Sequence, residues 1–497
     1  MLTRKQTGLF WIILILEFLL LSVFVCFRLI DYDEGLYLSY AQLVRDGNLP
    51  YLDFFHPQMP YLPYLYCMVS QYGFSSLFLG RLISASIGLL ISIIFFYLVY
   101  RLTARAGLSL LLFFLYSFNG LTINWHSVVK TSAVSDLLAL LSFLCFAFCL
   151  LRKDNRRPLM IFLSGLLVGA AFNFRLALFP ILLVEGFLIF LLSTGRSTRS
   201  GLSDLALLLC GALFSSVFSI YLLARDPAAF YFGNVGYHLI WGNQAIGMTL
   251  MGKVLTLSKF VFYPQNLIIL ILMVMSAATL LRKARAGQLD LHDRVIAAAL
   301  VFALVLIITF FLMSPTQFQY YQQALPYLLI CSIPALGKLE PRLKAKKPQA
   351  IAVGAVYLSF ILPFAIIFLF AVRQRDKPFE IKTVKTVVEA IQKNSQPDDS
   401  ILTAWPAYAV LSERKVLPGL ETWGGGVIPF LSLQQVRRFK LIDDLRVKKL
   451  IGGREVNLVV KEGWFPPQFD DLIEENYDLV TSTPFADIYV VKNHPTR

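Results

Sequence analysis

Residues 4–35 decide the fold: Arg4-Lys5 leads into the apolar run 9–30, which closes on Phe27-Arg28-Leu29-Ile30 and passes directly into Asp31-Tyr32-Asp33-Glu34-Gly35. A helix rises about 1.5 Å per residue and the hydrocarbon core of a bilayer is roughly 30 Å thick, so this run is long enough to span it. It is too long for a signal-peptide core and has no small-residue cleavage site at its end, so it is expected to stay attached. Three carboxylates within four residues follow at once. At a bilayer surface such a cluster is costly unless it binds or reacts with something. The plain structural alternative is a solvated helix cap in front of Leu36 to Val44.

The rest of the chain repeats the first motif. With 57% hydrophobic and only 15% charged residues, 497 residues carry too little polar surface to cover a water-soluble globule. Mean hydropathy is +0.66. Apolar stretches of spanning character lie near 9–30, 77–100, 108–123, 133–151, 159–174, 177–193, 204–224, 265–281, 295–313, 324–337 and 349–372. The expected class is a polytopic α-helical membrane protein of about eleven spans, with a soluble C-terminal α/β domain.

The net charge of +14 is placed in a telling way. Arg4 and Lys5 precede the first span, and alternate gaps hold Arg101 and Arg105, then Arg152, Lys153, Arg156 and Arg157, then Arg196 and Arg199. Arg282, Lys283 and Arg285 follow, then Lys338, Arg342, Lys344, Lys346 and Lys347. The intervening gaps are poor in Lys and Arg. This positive-inside pattern predicts a cytoplasmic N-terminus and an extracytoplasmic C-terminal domain. Clusters that flank spans do not make a nucleic-acid groove, so a polynucleotide partner is not expected.

From Arg373 onward charges become frequent and apolar runs shorten to strand length, giving domains at 1–372 and 373–497. Glu380 to Lys393 has helical periodicity, and Ser400 to Ala404, Val456 to Lys461, Asp478 to Ser482 and Asp487 to Val491 read as strands. Gly424-Gly425-Gly426 lacks the spacing of a phosphate cradle and reads as a loop. Five of the six cysteines lie in apolar segments, Cys67 sits in the first outer loop, and the C-terminal domain has none, so no disulfide framework is expected.

Polar residues that adjoin the membrane without being cytoplasmic anchors are the candidates for chemistry. The first outer loop adds Asp53 and His56-Pro57-Gln58-Met59-Pro60-Tyr61 to the acidic cluster. The second outer gap holds Trp125-His126, Lys130 and Asp136, while Arg81 and Arg175 lie near the outer ends of their spans. Each cation could simply snorkel to headgroups; together they ring the acidic loop with positive charge. The aromatic and Gly-rich loop 225–264 is expected to help form a cleft.

A family resemblance rests on these residues. Asp33-Glu34 after the first span, Leu43-Val44-Arg45-Asp46-Gly47-Asn48, and Phe55-His56-Pro57-Gln58-Met59-Pro60-Tyr61 resemble the first outer loop of GT-C membrane glycosyltransferases. The pattern is that of the protein O-mannosyltransferase and aminoarabinose lipid A transferase group (family 39/83-like). Arg81-Leu82-Ile83-Ser84-Ala85, Lys130 followed by Asp136, Gly169 to Arg175, and Tyr320-Tyr321 with Leu325-Pro326 are similar to further motifs of that group. The resemblance covers about residues 1–372.

The resemblance implies a polyprenyl-phosphate-linked sugar as donor, a lipid, glycan or protein hydroxyl as acceptor, transfer on the outer face with inversion, and no cofactor. It implies Asp33 as the base, with Glu34 orienting it or the acceptor. Lys130, Arg175 and Arg81 are implied for the lipid phosphate, and Asp136 and Asp53 for positioning sugar or cations. His56, also a substrate-binding candidate, stands where the aminoarabinose enzymes carry a basic residue. Two other classes are compatible with the pattern. A transporter or flippase would carry ionisable residues at the midplane, where Glu185 alone is placed, and repeated halves, of which none is evident. A metal-dependent transferase would recruit His56, His126 or His238, which lack paired ligand spacing.

Overall fold

The computed structural model describes residues 2–151, 156–194, 197–370, 374–417, 419–422 and 426–492. Arg152, Lys153, Arg196, Arg373, Gly424 and Gly425 lie outside the described residues, as do the side chains of Arg342, Lys344 and Lys347.

Helix α1 (Arg4–Phe27) starts at a capping box in which the Thr3 hydroxyl accepts from the Gln6 amide and the Gln6 side chain accepts from Thr3 N–H. The chain is extended at Arg28 and re-enters a helix, α2 (Tyr32–Arg45), through a second box built from Asp31 and Glu34. Seven helices among the described residues are long and apolar enough to cross a bilayer: α1, Ser75–Thr103, Thr131–Leu151, Arg157–Phe174, Pro264–Arg285, Leu291–Leu312 and Ile351–Phe368. Two bent pairs, Ala106–Ser117 with Gly120–His126 and Thr198–Phe214 with Val217–Arg225, raise this to nine if each is one span. The remaining two of the eleven apolar stretches are short helices, Leu176–Leu191 and Leu325–Cys331, the latter ending at Ser332 before Ile333–Ala345.

Intramembrane carboxyls number more than the sequence reading placed. Glu17, midway along α1, accepts hydrogen bonds from Ser92 Oγ (2.5 Å) and Ser117 Oγ (2.7 Å). Glu185 accepts from Ser142 Oγ (2.7 Å) and Ser164 Oγ (3.1 Å). Each ties three helices together in the buried core, where an unmet polar group would be costly. In the glycine-rich helix ahead of Arg175, Gly165 and Gly169 let the Thr198–Phe214 helix come so close that an added Cβ would meet Leu208 O at 1.9 Å and Ala212 Cα at 2.7 Å.

The C-terminal region is a five-stranded sheet in the order β2-β1-β3-β5-β4. β1 (Ser400–Thr403) runs parallel to β2 (Lys415–Val416) and β3 (Leu458–Glu462), while β5 (Ala486–Val491) is antiparallel to β3 and to β4 (Tyr477–Ser482). Alternation along the strands gives the sheet two different faces. Leu402, Val459 and Tyr489 pack with Val447, Ile451, Phe469 and Ile473 in a core of their own. Ile401, Leu458, Val460, Ile488 and Val490 share a core with Val384 and Val388, and also with Tyr37, Leu38, Tyr40 and Ala41 of α2 and Leu77 of the Ser75–Thr103 helix. One face of the sheet therefore completes its core with residues from the membrane-associated part.

Candidate active site

Helix α2 presents Asp33, Leu36, Tyr37 and Tyr40 to a cavity of about 610 Å³. Their spacing of three, four and seven residues puts them on one helical face. The rest of the lining comes from Trp125, Lys130 and Ser132, from Arg175 and Phe179, from Tyr237 and His238 in the aromatic segment 225–264, and from Tyr320. A further stretch of Leu176, Leu312 and Met313 makes one side of the cavity apolar.

Of the residues singled out from sequence, the cavity brings together Asp33, Lys130 and Arg175. Lys130 Nζ lies 3.0 Å from both Asp31 Oδ1 and Asp33 Oδ2, and 4.7 Å from the centre of the Trp125 ring. The same ring carries Arg28 on it at 5.1 Å, and Arg28 stands 4.0 Å from Asp31. Burial works against the Lys130 ammonium, but the carboxylates of Asp31 and Asp33 outweigh it and hold the group above the ordinary lysine range. For Asp31, burial is outweighed by Lys130 and Arg28, which keep its carboxyl below the usual range. Asp33 goes the other way. Separation from bulk water raises it, Lys130 opposes the rise, and the negative charges of Asp31 and Glu34 reinforce it. Its side chain is nevertheless 43% exposed, because it opens into the cavity.

Arg175 ends the Arg157–Phe174 helix with extended backbone, and its guanidinium sits over Tyr320 at 4.3 Å and Phe310 at 5.2 Å. It has no carboxylate partner among the described residues. Lys130 and Arg175 thus differ: one is already shared between two carboxylates, the other is a cation held only by aromatic faces.

The other candidates lie outside the cavity lining. Glu34 is completely buried and accepts from Arg81 Nε (2.8 Å), Arg81 Nη2 (2.7 Å), Val129 N–H (3.0 Å) and Asp31 N–H (2.9 Å). Arg81, equally buried, also donates to the carbonyls of Val25, Arg28 and Leu29 at the end of α1. Asp53 accepts from Leu49 N–H at 2.7 Å and shapes a local turn. His56 is sealed against Tyr40 at 4.8 Å, and burial lowers it to about 4, so it is neutral. Asp136 accepts from Gln322 Nε2 (3.0 Å) and from Gln323 Nε2, with His126 Nε2 at 3.3 Å.

Tyr37 and Thr422 of the lining are not among the residues singled out from the sequence, whereas His238, considered there as a metal ligand, lines the cavity too. Tyr37 OH accepts from Gln58 Nε2 at 2.7 Å, which leaves its own proton free to be donated elsewhere. His238 bonds the Pro57 carbonyl at 2.6 Å, which requires its proton on Nε2, and burial lowers its basicity. Thr422, from the C-terminal region, reaches the cavity and shares a 2.9 Å hydrogen bond with Tyr40 OH. The positions of Tyr37 and Tyr40, one and two turns beyond Asp33, were the available signal for the first.

No family model and no curated protein matches the chain. Among solved structures, ArnT from Cupriavidus metallidurans bound to undecaprenyl phosphate superposes with a TM-score of 0.66 at 14% identity, covering 98% of both chains. The GT-C fold is the fold of this chain. The apo ArnT structure gives the same values. The archaeal oligosaccharyltransferase AglB from Archaeoglobus fulgidus, in complex with an inhibitory peptide and a dolichol-phosphate, has the GT-C fold too, with a TM-score of 0.50 at 12% identity over 99% of this chain and 74% of that one. Within the GT-C fold of this protein the cavity lies where the segment after α1, the ends of several apolar helices and the C-terminal region meet.

Proposed function

We propose that this protein transfers a sugar from a polyprenyl-phosphate-linked donor to an acceptor hydroxyl on the outer face of the membrane. The observation that carries the reading is the pairing, in one cavity, of a carboxylate that opens into it, Asp33, with a cation that no carboxylate neutralises among the described residues, Arg175. In this reading the acceptor oxygen attacks the anomeric carbon and its proton passes to Asp33. The bond from that carbon to the phosphate oxygen breaks, and the polyprenyl phosphate leaves with the electron pair. Its added negative charge is met by Arg175, and Lys130 lines the same cavity as a second cation. The apolar side at Leu176, Leu312 and Met313 suits the prenyl chain.

Asp33 is the one carboxylate lining the cavity among the described residues, which supports a single displacement with inversion, because a double displacement needs a nucleophile beside the acid–base group. The Glu34–Arg81 pair serves as the scaffold beneath this chemistry. We further assign residues 1–372 to the membrane unit and 373–497 to an extracytoplasmic unit, with the N-terminus cytoplasmic. The lysine and arginine clusters support that orientation, and reporter fusions at Asn394 and Lys346 should report opposite sides.

The test is purified full-length protein in vesicles, supplied with a panel of polyprenyl-phosphate sugars and candidate lipid, glycan and peptide acceptors, scored for glycosylated product. Transfer by the unaltered protein, reduced by on the order of 10² or more in Asp33→Asn, is the expected result. Movement of the labelled lipid between leaflets with no sugar transferred would replace this reading with a transporter.

A further inference from the structure

The Asp33 carboxylate has a single side-chain partner among the described residues, Lys130, so its place in the cavity is set by the backbone of α2. That backbone is held from outside the membrane part. Trp405, fully buried, donates from its indole Nε1 to the carbonyl of Tyr32, the residue before Asp33, at 3.0 Å, and its ring stacks on Tyr32 with centroids 6.2 Å apart and planes 22° apart. Phe379 and Tyr408 close on the indole edge-on at 5.2 and 5.1 Å. The Trp405 backbone is anchored in turn. Buried Glu462, at the end of β3, accepts from the amides of Trp405 and Ala404, each at 3.2 Å, and from the Thr403 hydroxyl.

Gly35 shows how tight this contact is. A Cβ there would stand 2.4 Å from Ala407 Cβ and 2.8 Å from Trp405 Nε1. Glycine is a poor helix former, and here it sits where only hydrogen fits. Farther along α2, Tyr40 meets Thr422 and Gln42 Nε2 donates to the Arg414 carbonyl at 3.0 Å. Contacts at Tyr32, Gly35, Tyr40 and Gln42 therefore tie the helix that bears Asp33 to the C-terminal region along most of its length.

We propose that the C-terminal region is a positioning element for Asp33, and that Trp405 is the positioning residue, acting through the Tyr32 carbonyl. The proposal rests on the reading of Asp33 as the base. A general base works only when it is aimed at the proton it takes, and a misplacement of about 1 Å can cost on the order of 10²-fold. Arg175, the cation assigned to the lipid phosphate, stands on another element over Tyr320 and Phe310, so phosphate binding through it does not depend on the Trp405 contact.

Trp405→Phe removes the N–H and keeps an aromatic ring in place. In the full-length protein, amide hydrogen exchange should quicken at Tyr32 to Leu36 while exchange in β1 and β3 stays as it was; this arm needs no substrate. With the donor and acceptor of highest turnover in the panel above, kcat should fall about 10-fold or more, with KM for the donor and affinity for undecaprenyl phosphate within about 2-fold of the unaltered protein. If the variant does not fold, Gly35→Ala presses on the same contact from the opposite side and should show the same split. Unchanged exchange in the first turn of α2 overturns the proposal. So does quickened exchange with unchanged kcat, provided Asp33→Asn is inactive. If Asp33→Asn itself turns over at the unaltered rate, the base assignment falls instead, and the exchange result alone then reports on the clamp.

Discussion

Two ion pairs sit one residue apart on α2 and do opposite things. Glu34 and Arg81 are both fully buried, meet twice at 2.7 and 2.8 Å, and have their remaining hydrogen-bonding capacity taken up by backbone groups of α1 and Val129. Asp33 and Lys130 meet at 3.0 Å at the rim of a cavity, and Lys130 is shared with Asp31. The helical turn explains the split. Successive residues project about 100° apart, so Asp33 faces the cavity while Glu34 faces the Ser75–Thr103 helix. A saturated pair fixes structure; a pair with an open side can trade partners with a substrate.

The comparison is broken most directly at Arg81. Arg81→Ala leaves Glu34 buried without a counter-charge, a loss of the order of 3–5 kcal/mol, so the variant should yield little folded protein or unfold far earlier in a thermal melt. Lys130→Ala should lower the melt far less, since Asp33 can be solvated in the cavity and Asp31 keeps Arg28 as a counter-charge. Equal destabilisation by both would end the distinction. Next in size is Asp33→Asn, expected to lose about 10²-fold or more in kcat while still folding and binding undecaprenyl phosphate. Glu34→Gln, by contrast, should show its defect in stability before any kcat effect can be read.

Arg175→Ala sharpens the contrast between its two cations. Because Arg175 has no carboxylate to lose, its removal should weaken undecaprenyl phosphate binding about 10-fold, the size of a lost charged hydrogen bond, without lowering thermal stability. Calorimetric titration in vesicles would measure it, and unchanged affinity would return the phosphate to Lys130.

The smallest effect concerns pH and the clamp on α2. Burial raises Glu421 to about 8, against hydrogen bonds from Gly419 and Phe55 N–H, and raises Glu462 to about 7, against those from Thr403, Ala404 and Trp405. A carboxyl whose folded value is raised binds its proton more tightly in the folded state. Its stabilising contribution is therefore complete below the unfolded value, near 4.5, and is lost as pH rises through about 7 to 8. Unfolding of the C-terminal region in the full-length protein, followed by exchange in β1 and β3, should be less protected above about pH 8 than near pH 5. Glu421→Gln with Glu462→Gln should flatten that dependence, and a slope that survives in the double variant would assign it elsewhere.

The sequence reading and the structure meet and part at particular residues. Of the acidic cluster, Asp31 and Glu34 form a helix cap, one of the two readings the sequence allows, while Asp33 is left facing the cavity. The expected strands at 400, 456, 478 and 487 lie close to those observed, whereas the two-residue β2 is too short to leave a pattern. Glu17 was in plain view inside the first apolar run but was not singled out, because nothing local shows that two serines from other helices would meet it.

Apolar length is a property of the chain itself, so the sequence determined by itself that this is a polytopic helical membrane protein with a polar C-terminal region and an acidic segment directly after its first span. Which carboxylate faces a cavity, which cation is already neutralised, and which strand face shares its core with α2 are relations between residues far apart in the chain, as the 373 positions between Trp405 and Tyr32 illustrate. Only the tertiary structure decided those, because burial and pairing depend on what the rest of the fold brings to each side chain, and no periodicity along the chain records it.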